Sequence, residues 1–507
     1  MRKIITTAIL LSLYYLSAAQ NVGVGQATPL NRLHVTATTD PLRLDGLQSG
    51  ASSDSVLTVN ATGVVKKRTL AAAVATSGWA ILGNTGLSAV TNFLGTSDYV
   101  SLVIRTNNQR SAFIDVDSAK RNNSFGNRAM SATVTGNSNN AFGSFALNKV
   151  TSGFNNIAIG DSASFNIIAG SGNIGIGKNA LLSANASTDN IAIGTGTLQN
   201  TVTSENIGIG LNAGSANISG TNMIAIGAYS LQANQTTATH IAIGNNSLKT
   251  LTGGLENVAI GYNTGTSLTT GQYNVLLGNY ALSSTSNSNN NTIVGHNAAL
   301  AFTGTGNSNN TFIGYQTAFT QIGGTGNTFL GYAIDVAPSS SSFSNSTGLG
   351  QGVLITASNQ VRVGNTSVNS IGGQVGWTTF SDERVKKNIR EDVAGLNFIM
   401  LLKPVTYNYD EEKLIQLQTG KFTTPVPAGN PNTGIRFSGF LAQQVASAAQ
   451  SVNFDFSGID KPANPNTPYG IRYAEMVVPL VKAIQELKII IDRQQQEIQQ
   501  LKESRNH

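Results

Sequence analysis

The chain has 507 residues, of which 54 are glycine, none is cysteine and 11% are charged. This composition excludes disulfides, thiol catalysis and a cysteine-linked lipid anchor, and it is unusual for a globular enzyme. The net charge is +6, but the basic residues are scattered without interleaved aromatics, which argues against a nucleic-acid surface. The four histidines (His34, His240, His296 and His507) lack ligand spacing, so we expect neither a metal site nor a cofactor.

Residues 1–19 have the pattern of a secretory signal peptide. Two positive residues precede a mostly apolar run (residues 4–16), and Ser17-Ala18-Ala19 forms a small-residue cleavage site. The apolar run is shorter than the about 20 residues that a membrane-spanning helix needs. We predict that the mature chain begins at Gln20 and is secreted or attached to the cell surface.

Residues 20–121 form a mixed region with β character. Strand-like runs at Ser55–Val59 and Tyr99–Ile104 are separated by Gly, Asn, Ser and Asp turns. The stretch NVGVGQATPLNRLHV and the segment Trp79–Asp115 resemble the front of exported bacterial fibre proteins. We predict a β-rich stalk or attachment region here.

From Asn122 the chain repeats a unit close to N-x-I-A-I-G. Ten of the twelve intervals between the repeat glycines are 17 residues, one is 16 and one is 19. An asparagine lies four residues before the glycine in 11 of 13 repeats. A fixed period this short predicts a solenoid. The repeat glycines are Gly126, Gly143, Gly160, Gly177, Gly194, Gly210, Gly227, Gly244, Gly261, Gly278, Gly295, Gly314 and Gly331.

Each repeat places two apolar residues around a small one, as in Ile157 and Ile159 around Ala158, which is the alternation of a β-strand. We expect stacked coils to pair every strand with its neighbours and to line the interior with isoleucine. The glycine permits positive φ or close backbone approach at a corner, and the asparagine suits a second corner because it tolerates the left-handed region. The alternative, a disordered polar linker, is disfavoured by the regular spacing.

This repeat resembles the head of trimeric autotransporter adhesins, which is built from similar NSVAIG-x-x-S units. The resemblance implies a trimeric, left-handed parallel β-roll over residues 122–337. A neck rich in Ser, Gly and Asn follows at 338–376, with one more strand-like piece at Gln360–Gly364.

Residues 377–507 differ chemically from the repeats. Charged side chains number 9 between Asn122 and Asp335 but 29 between Ser381 and His507. Ser381 and Lys386 lie five residues apart, and a partly desolvated lysine with a lowered pKa is able to activate a serine hydroxyl. On local sequence alone the commoner interpretation is a helix start at Ser381, with the two following acids near the positive end of the helix dipole.

Four ordered motifs decide between these interpretations: TTFSDERVKKNI (378–389), LLKPVTYNY (401–409), GFLAQQV (439–445) and YAEMVVPLVKAIQEL (473–487). They resemble the C-terminal intramolecular chaperone of phage endosialidase tailspikes and related fibres. The resemblance implies a homotrimer whose chaperone domain cuts itself off once, in cis, as a serine peptidase.

Carried over by position, the resemblance makes Ser381 the nucleophile and Lys386 the general base, with the cut between Phe380 and Ser381. The fold must also orient the scissile peptide and supply donors for the oxyanion. Asp382 and Asn388 are the candidates for these positioning and oxyanion roles.

The chain ends in an apolar seam with alternating spacings of three and four residues, typical of the a and d positions of a coiled coil. We predict a coiled coil over 476–503; the alternative is an amphipathic helix packed on its own domain. Before it we expect an α+β domain with an irregular polar insert at 419–433. The seam residues are Val477, Leu480, Ile484, Leu487, Ile491, Gln494, Ile498 and Leu501.

The predicted fold is therefore mainly β, a trimeric left-handed parallel β-roll with an α+β chaperone domain ending in a coiled-coil helix. The predicted function is an exported, adhesin-like fibre whose partners are two copies of itself and a surface glycan or another host- or cell-surface ligand. Alternatives are an uncut surface fibre with a trimer clamp and a phage-type tail fibre, against which the signal pattern counts. A polysaccharide-degrading enzyme is disfavoured because the repeats hold too few acids for a carboxylate pair.

Overall fold

The computed structural model describes residues 22–24, 33–35, 55–59, 62, 65–69, 94–235, 239–420 and 434–506. The chain divides into two compact units, residues 1–95 and 96–507. In the first, Val22–Val24 pairs in parallel with Leu33–Val35, and Ser55–Val59 pairs antiparallel with Val65–Thr69. The strand predicted at 55–59 is thus confirmed, whereas the signal pattern at 1–19 lies outside the described residues.

The second unit begins with an antiparallel hairpin of strands Leu102–Thr106 and Gln109–Ile114. The predicted run at 99–104 therefore starts its strand three residues later than expected. The second hairpin strand pairs antiparallel with Asn123–Phe125, the strand of the first coil. The hairpin thereby occupies the hydrogen-bonding edge at the start of the stack, an edge that would otherwise invite pairing with another chain.

The repeats form a parallel β-solenoid of about 14 turns. Equivalent residues of successive coils pair in register, as Ile174 does with Ile191. The ladder continues beyond residue 337, because strands also form in the first part of the predicted neck. Its strands are Asn123–Phe125, Asn140–Phe142, Ile157–Ile159, Ile174–Ile176, Ile191–Ile193, Ile207–Ile209, Ile224–Ile226, Ile241–Ile243, Val258–Ile260, Val275–Leu277, Thr292–Val294, Thr311–Ile313, Thr328–Tyr332, Thr347–Gln351 and Val361–Val363. Two shorter parallel pairs, Ser288–Asn289 with Asn307–Ser308 and Asp335–Val336 with Leu354–Ile355, lie beside it.

The repeat glycines make the corner after each strand. Their φ angles lie between 119° and 148°, a region that side chains rarely adopt. A Cβ atom on any of them would meet the carbonyl group of the corresponding glycine one coil later at 2.8 Å or less. Both expected reasons for glycine, positive φ and close backbone approach, therefore apply at the same position.

The repeat asparagines form a buried hydrogen-bonded ladder along the solenoid. The Asn139 Oδ1 atom accepts from the Asn156 backbone N–H at 3.2 Å and from its Nδ2 at 3.0 Å, and that Nδ2 also donates to the Gly170 carbonyl at 2.8 Å. Met223 and His240 interrupt the run of asparagines, and both are fully buried, but the His240 Nδ1 atom still accepts from the Asn257 backbone N–H at 3.2 Å. The expectation of a left-handed asparagine is wrong, because positive φ falls on the preceding residue, such as Asn155 at 56°.

The expectation that isoleucine lines the interior is also wrong. The central residue of each strand points inward, as Ala158 does in an early coil and Phe312 in a late one, and both are fully buried, whereas Ile157 and Ile159 are 36% and 41% exposed. In the early coils leucines already occupy the interior, since a Cβ on the central Gly208 would lie 2.8 Å from the Leu198 Cγ atom. Two rows of side chains therefore run along the outside of the solenoid: the row just before the corner glycine is apolar in every repeat, and the other is apolar in the middle coils but holds Asn or Thr in the first and last ones.

The C-terminal region is α+β, as predicted. Its core is built on Phe398, which packs at ring-centroid distances of 5.4 and 5.3 Å from Phe454 and Phe456. The polar insert predicted at 419–433 lies outside the described residues from 421 onward. The elements are the 3₁₀ helix Glu383–Val385, helix Leu396–Ile399, strand Val405–Tyr407, helix Glu411–Thr419, strand Phe437–Gly439, helix Ala442–Ser451, strands Ile459–Asp460 and Gly470–Ile471, the 3₁₀ helix Tyr473–Met476 and helix Val477–Arg505. Each of the two strand pairs is antiparallel.

The last helix uses two different faces. Pro479 and Ala483 are buried, and the Glu486 carboxylate accepts a hydrogen bond from the Leu396 backbone N–H at 2.6 Å. The seam residues lie elsewhere on the helix, and Ile484 and Leu487 remain 65% and 42% exposed. The helix therefore packs on its own domain without using its apolar seam.

Candidate cleavage site

A single short turn brings the two predicted catalytic residues together. The Lys386 Nζ atom donates a hydrogen bond to the Ser381 Oγ atom at 2.8 Å. The five-residue separation spans the 3₁₀ helix Glu383–Val385, whose end is closed by the Lys386 backbone N–H donating to the Glu383 carbonyl at 3.1 Å. A hydroxyl and an amine at this distance have the geometry of a nucleophile and its base.

The cap of this turn is Asp382, so Ser381 is not the helix cap that local sequence favoured. The Asp382 Oδ1 atom accepts from the Arg384 backbone N–H at 2.9 Å, and the carboxylate pairs with the Arg384 guanidinium at 2.6 Å. The guanidinium holds the pKa of Asp382 below its ordinary value. Because Asp382 is the cap, the Ser381 hydroxyl accepts its hydrogen bond from Lys386 instead of capping the turn.

The ion pair between Asp382 and Arg384 helps to distinguish the two candidate oxyanion residues, Asp382 and Asn388. An ionised carboxylate accepts hydrogen bonds but has none to donate, so Asp382 is suited to orienting the turn rather than to stabilising an oxyanion. Asn388 carries an amide that donates, and its φ of 55° places it in the left-handed region just beyond the turn. Of the two, Asn388 has the chemistry of an oxyanion donor.

The segment around the turn is open to solvent. Every residue from 367 to 392 is exposed, and the Trp377 and Phe380 side chains are each 96% exposed. Val385 and Ile389 are 73% and 66% exposed. Large apolar side chains in such a segment are typical of a surface that another chain covers.

The C-terminal domain also touches the last coils of the solenoid, a contact that sequence reasoning missed. The Asn464 Nδ2 and Thr467 Oγ1 atoms donate to the Thr356 carbonyl at 2.7 and 3.3 Å. These residues are more than a hundred positions apart in the chain. The proline-rich run at 462–468 gives no local signal of this partner.

Comparison with known protein families gives a match inside this region. Residues 381–453 match the family model for the chaperone of endosialidase. Members of this endosialidase-chaperone family are trimerising, self-cleaving intramolecular chaperones. The match begins at Ser381, immediately after the predicted cut.

A search of curated proteins and a search of solved structures found no match to the chain. Among the described residues, no helix is both long enough and apolar enough to cross a membrane. The family match covers residues 381–453 of the C-terminal domain, and the solenoid that precedes it is consistent with a fibre carrying such a chaperone.

Proposed function

We propose that the chain is an exported homotrimeric fibre whose C-terminal domain brings three chains together, guides folding of the solenoid and then cuts itself off between Phe380 and Ser381. The observation that carries the proposal is the hydrogen bond between Lys386 and Ser381 at the first residue of the endosialidase-chaperone match. The signal pattern at residues 1–19 supports export.

The reaction is an acyl transfer within one chain. The Ser381 hydroxyl oxygen attacks the Phe380 carbonyl carbon while Lys386 takes the hydroxyl proton. The carbon–nitrogen bond breaks, the released amine of Ser381 receives the proton, and an ester joins the Phe380 carbonyl to the serine oxygen. Water then hydrolyses the ester, leaving a carboxylate on Phe380 and a new N-terminus at Ser381.

The chain itself holds the reacting atoms close together, so no substrate has to be bound. Asn388 and backbone amides near the turn are the proposed oxyanion donors, and Asp382 positions the turn. Reaction also requires the hydrogen bond of the resting state to reverse, because the lysine must accept rather than donate. A lysine gives up its proton more readily when water is removed from around it.

Assembly supplies that removal of water in our proposal. A second and a third copy would cover the exposed segment at 367–392, with Trp377 and Phe380 as the apolar anchors. Cleavage would then follow assembly. A chain that had not yet found its partners would keep its chaperone.

Two further apolar surfaces support a trimer. The outward row just before the corner glycines is apolar in every repeat, from Phe125 to Leu330, and the seam of helix Val477–Arg505 faces solvent. Parallel strands pair slowly and expose edges while they wait, so early association through the helix would raise the local concentration of the chains. The contacts of Asn464 and Thr467 with Thr356 place the chaperone at the end of the solenoid, where it can set the register.

The test is intact-mass measurement of the chain without its signal, beside Ser381→Ala and Lys386→Ala. We expect a fragment beginning at Ser381 from the wild type and only full-length chain from both variants. Lys387→Ala is the matched control, because it removes a neighbouring ammonium group that makes no hydrogen bond or ion pair with the described residues of the turn, and it should be cut normally.

A full-length chain in the wild type, isolated as a trimer, would contradict self-cleavage. The protein would then be the uncut fibre with a trimer clamp. Equal cutting of Lys386→Ala and wild type would instead remove the lysine from the mechanism while leaving cleavage in place.

A further inference from the structure

The last coils of the repeat region are uncharged. No Lys, Arg, Asp or Glu occurs from Asn257 to Ile334, whereas the earlier coils hold charged residues such as Asp161 and Lys178. A surface without charges does not attract nucleic acids, anionic polysaccharides or acidic proteins by electrostatics. Any ligand of this part of the solenoid would be recognised through neutral groups.

Five aromatic side chains form a continuous row on these coils. Tyr262 and Tyr280 meet edge to face at 5.4 Å, and Tyr280 meets His296 edge to face at 6.2 Å. His296 stacks on Tyr315 at 5.7 Å, and Tyr315 stacks on Tyr332 at 5.5 Å. With one ring on each coil, the row advances by the strand spacing of about 4.8 Å per ring.

The row is exposed although its rings cover one another. Tyr315 and Tyr332 are 43% and 52% exposed. Because their stacked faces are shared within the row, the ring edges and the phenol hydroxyls are what solvent reaches. Half-exposed amides of Asn263, Asn297 and Gln316 flank the rings on the next chain position.

The row is not required by the solenoid itself. It lies one or two positions after the corner glycine, outside the coil, and the same positions hold Asn127, Ser144 and Thr195 in earlier coils. The outward apolar row just before the glycine, by contrast, runs through all the repeats. A feature confined to five coils is therefore not explained by packing that every coil shares.

We infer that this aromatic row binds a neutral polysaccharide in an extended conformation. Phenol hydroxyls and amides are neutral donors and acceptors, matching the hydroxyl groups of a sugar chain. The ring edges that solvent reaches can contact the C–H groups of the same sugars. Neighbouring ring centroids lie 5.4 to 6.2 Å apart along the row, so an extended chain laid along it can meet successive rings. The inference goes beyond assembly and self-cleavage and needs only that the row face outward in the fibre.

The experiment measures binding of the full chain, as purified, to extended neutral glycans, namely cellohexaose, a linear xylan and a linear mannan, with alginate as an anionic comparator. We expect saturable binding to at least one neutral glycan that is insensitive to salt, since no charges are involved. The double variant Tyr315→Asn with Tyr332→Asn should weaken it by about tenfold or more, because each ring contact is worth up to about tenfold in affinity. Asparagine already occupies the equivalent position at Asn279, so the change suits the backbone.

Tyr273→Asn is the matched control. Tyr273 is 44% exposed, lies on another side of the coil, and has φ of 58°, which asparagine tolerates. It should bind like the wild type. Failure of every neutral glycan to bind, equal binding by the double variant, or binding only to alginate would overturn the inference. Loss of the trimer in the double variant, seen by light scattering, would also overturn it by making the row a subunit contact; this outcome is separate from loss of cleavage.

Discussion

The solenoid and the segment at 367–392 differ in how far their side chains are buried and hydrogen-bonded within one chain. Inside the solenoid nearly every polar group finds a partner one coil away, as the ladder from Asn139 to Asn156 shows. In the cleavage segment every residue is exposed, and its one tight feature is the turn that joins Ser381 to Lys386. The solenoid interior is therefore packed and hydrogen-bonded within one chain, whereas the segment at 367–392 leaves its side chains exposed.

The difference shows where assembly acts. Because the coil interior is already filled by buried apolar side chains such as Leu147 and Phe312 and by asparagine amides, the outward apolar side chains remain exposed on a single chain. The exposed segment at 367–392 has no core of its own, and in the proposed mechanism the turn of Ser381 and Lys386 reacts only after other chains cover it. Changes inside the solenoid should therefore affect the stability of each chain, whereas changes on the outward apolar surfaces should affect association.

The largest effect is expected where association is attacked directly. Ile484→Asp with Ile491→Asp places carboxylates in the seam, and burying them in a trimer would weaken association by more than about 10,000-fold. Light scattering should give the mass of a single chain, and the circular dichroism spectrum should remain that of a folded protein. Ile489→Asp, at a residue that is 60% exposed but off the seam, should stay trimeric. An unchanged trimer in the double variant would favour the alternative of a helix that serves only its own domain.

A change at a corner glycine should act on the solenoid alone. At Gly177 a Cβ would lie 2.5 Å from the Gly194 carbonyl oxygen, and φ is 128°. We expect Gly177→Val to cost about 4 kcal/mol or more, since both backbone strain and a clash are created. The comparison is Gly372→Val in the exposed segment, where no atom lies within 4 Å of the added Cβ; its effect should stay within about 0.5 kcal/mol. The free energy of unfolding from urea titration measures both, and equal effects would contradict the contrast between the two regions.

The solenoid could be predicted from the sequence because its repeat has a nearly constant period. A glycine every 17 residues indicates a corner, and alternation around it indicates a strand. The direction in which the strand faces could not be predicted, since Ile157 and Ile159 look the same whether they point in or out. Only the width of the coil, set by the chain on its far side, decides it.

The candidate cleavage site also has features that the sequence predicted and features that it did not. The spacing of Ser381 and Lys386 predicted their proximity once the family motifs were recognised, and the distance of 2.8 Å agrees. The sequence showed that Asp382 is an acid near a helix start. It did not show that Asp382, rather than Ser381, takes the cap position. The contact of Asn464 with Thr356 joins residues 108 positions apart, and no periodicity or motif connects them.

The asparagine ladder should respond less strongly than the corner glycine. Asn156→Leu removes the donor to the Gly170 carbonyl and the acceptor for the Asn173 backbone N–H, leaving buried polar groups unpaired. We expect a loss of about 3 kcal/mol in the free energy of unfolding. Asn155→Gly, at the exposed left-handed position next to it, should be nearly neutral. A neutral Asn156→Leu would mean that the ladder is dispensable.

The smallest predicted effect appears only in acid and concerns a residue that interrupts the run of asparagines. His240 is fully buried, and burial lowers its pKa to about 4 from an ordinary value of 6.5. The unfolded chain therefore binds the proton first, so stability is complete above about pH 6.5 and falls as the pH drops toward 4. At pH 4.5 the loss should be about 2 kcal/mol per chain.

The difference between wild type and His240→Asn isolates this contribution, because Asp335, whose pKa is raised by burial, acts in the opposite direction in both proteins. Melting temperatures at pH 7.5 and 4.5 should show a smaller acid shift for His240→Asn, which restores the residue of the other coils. His296→Asn, at an exposed position, should keep the wild-type shift. An identical acid shift in all three proteins would mean that the interior of the solenoid admits a proton without cost, and the contrast between a closed interior and an open cleavage segment would not hold at this coil.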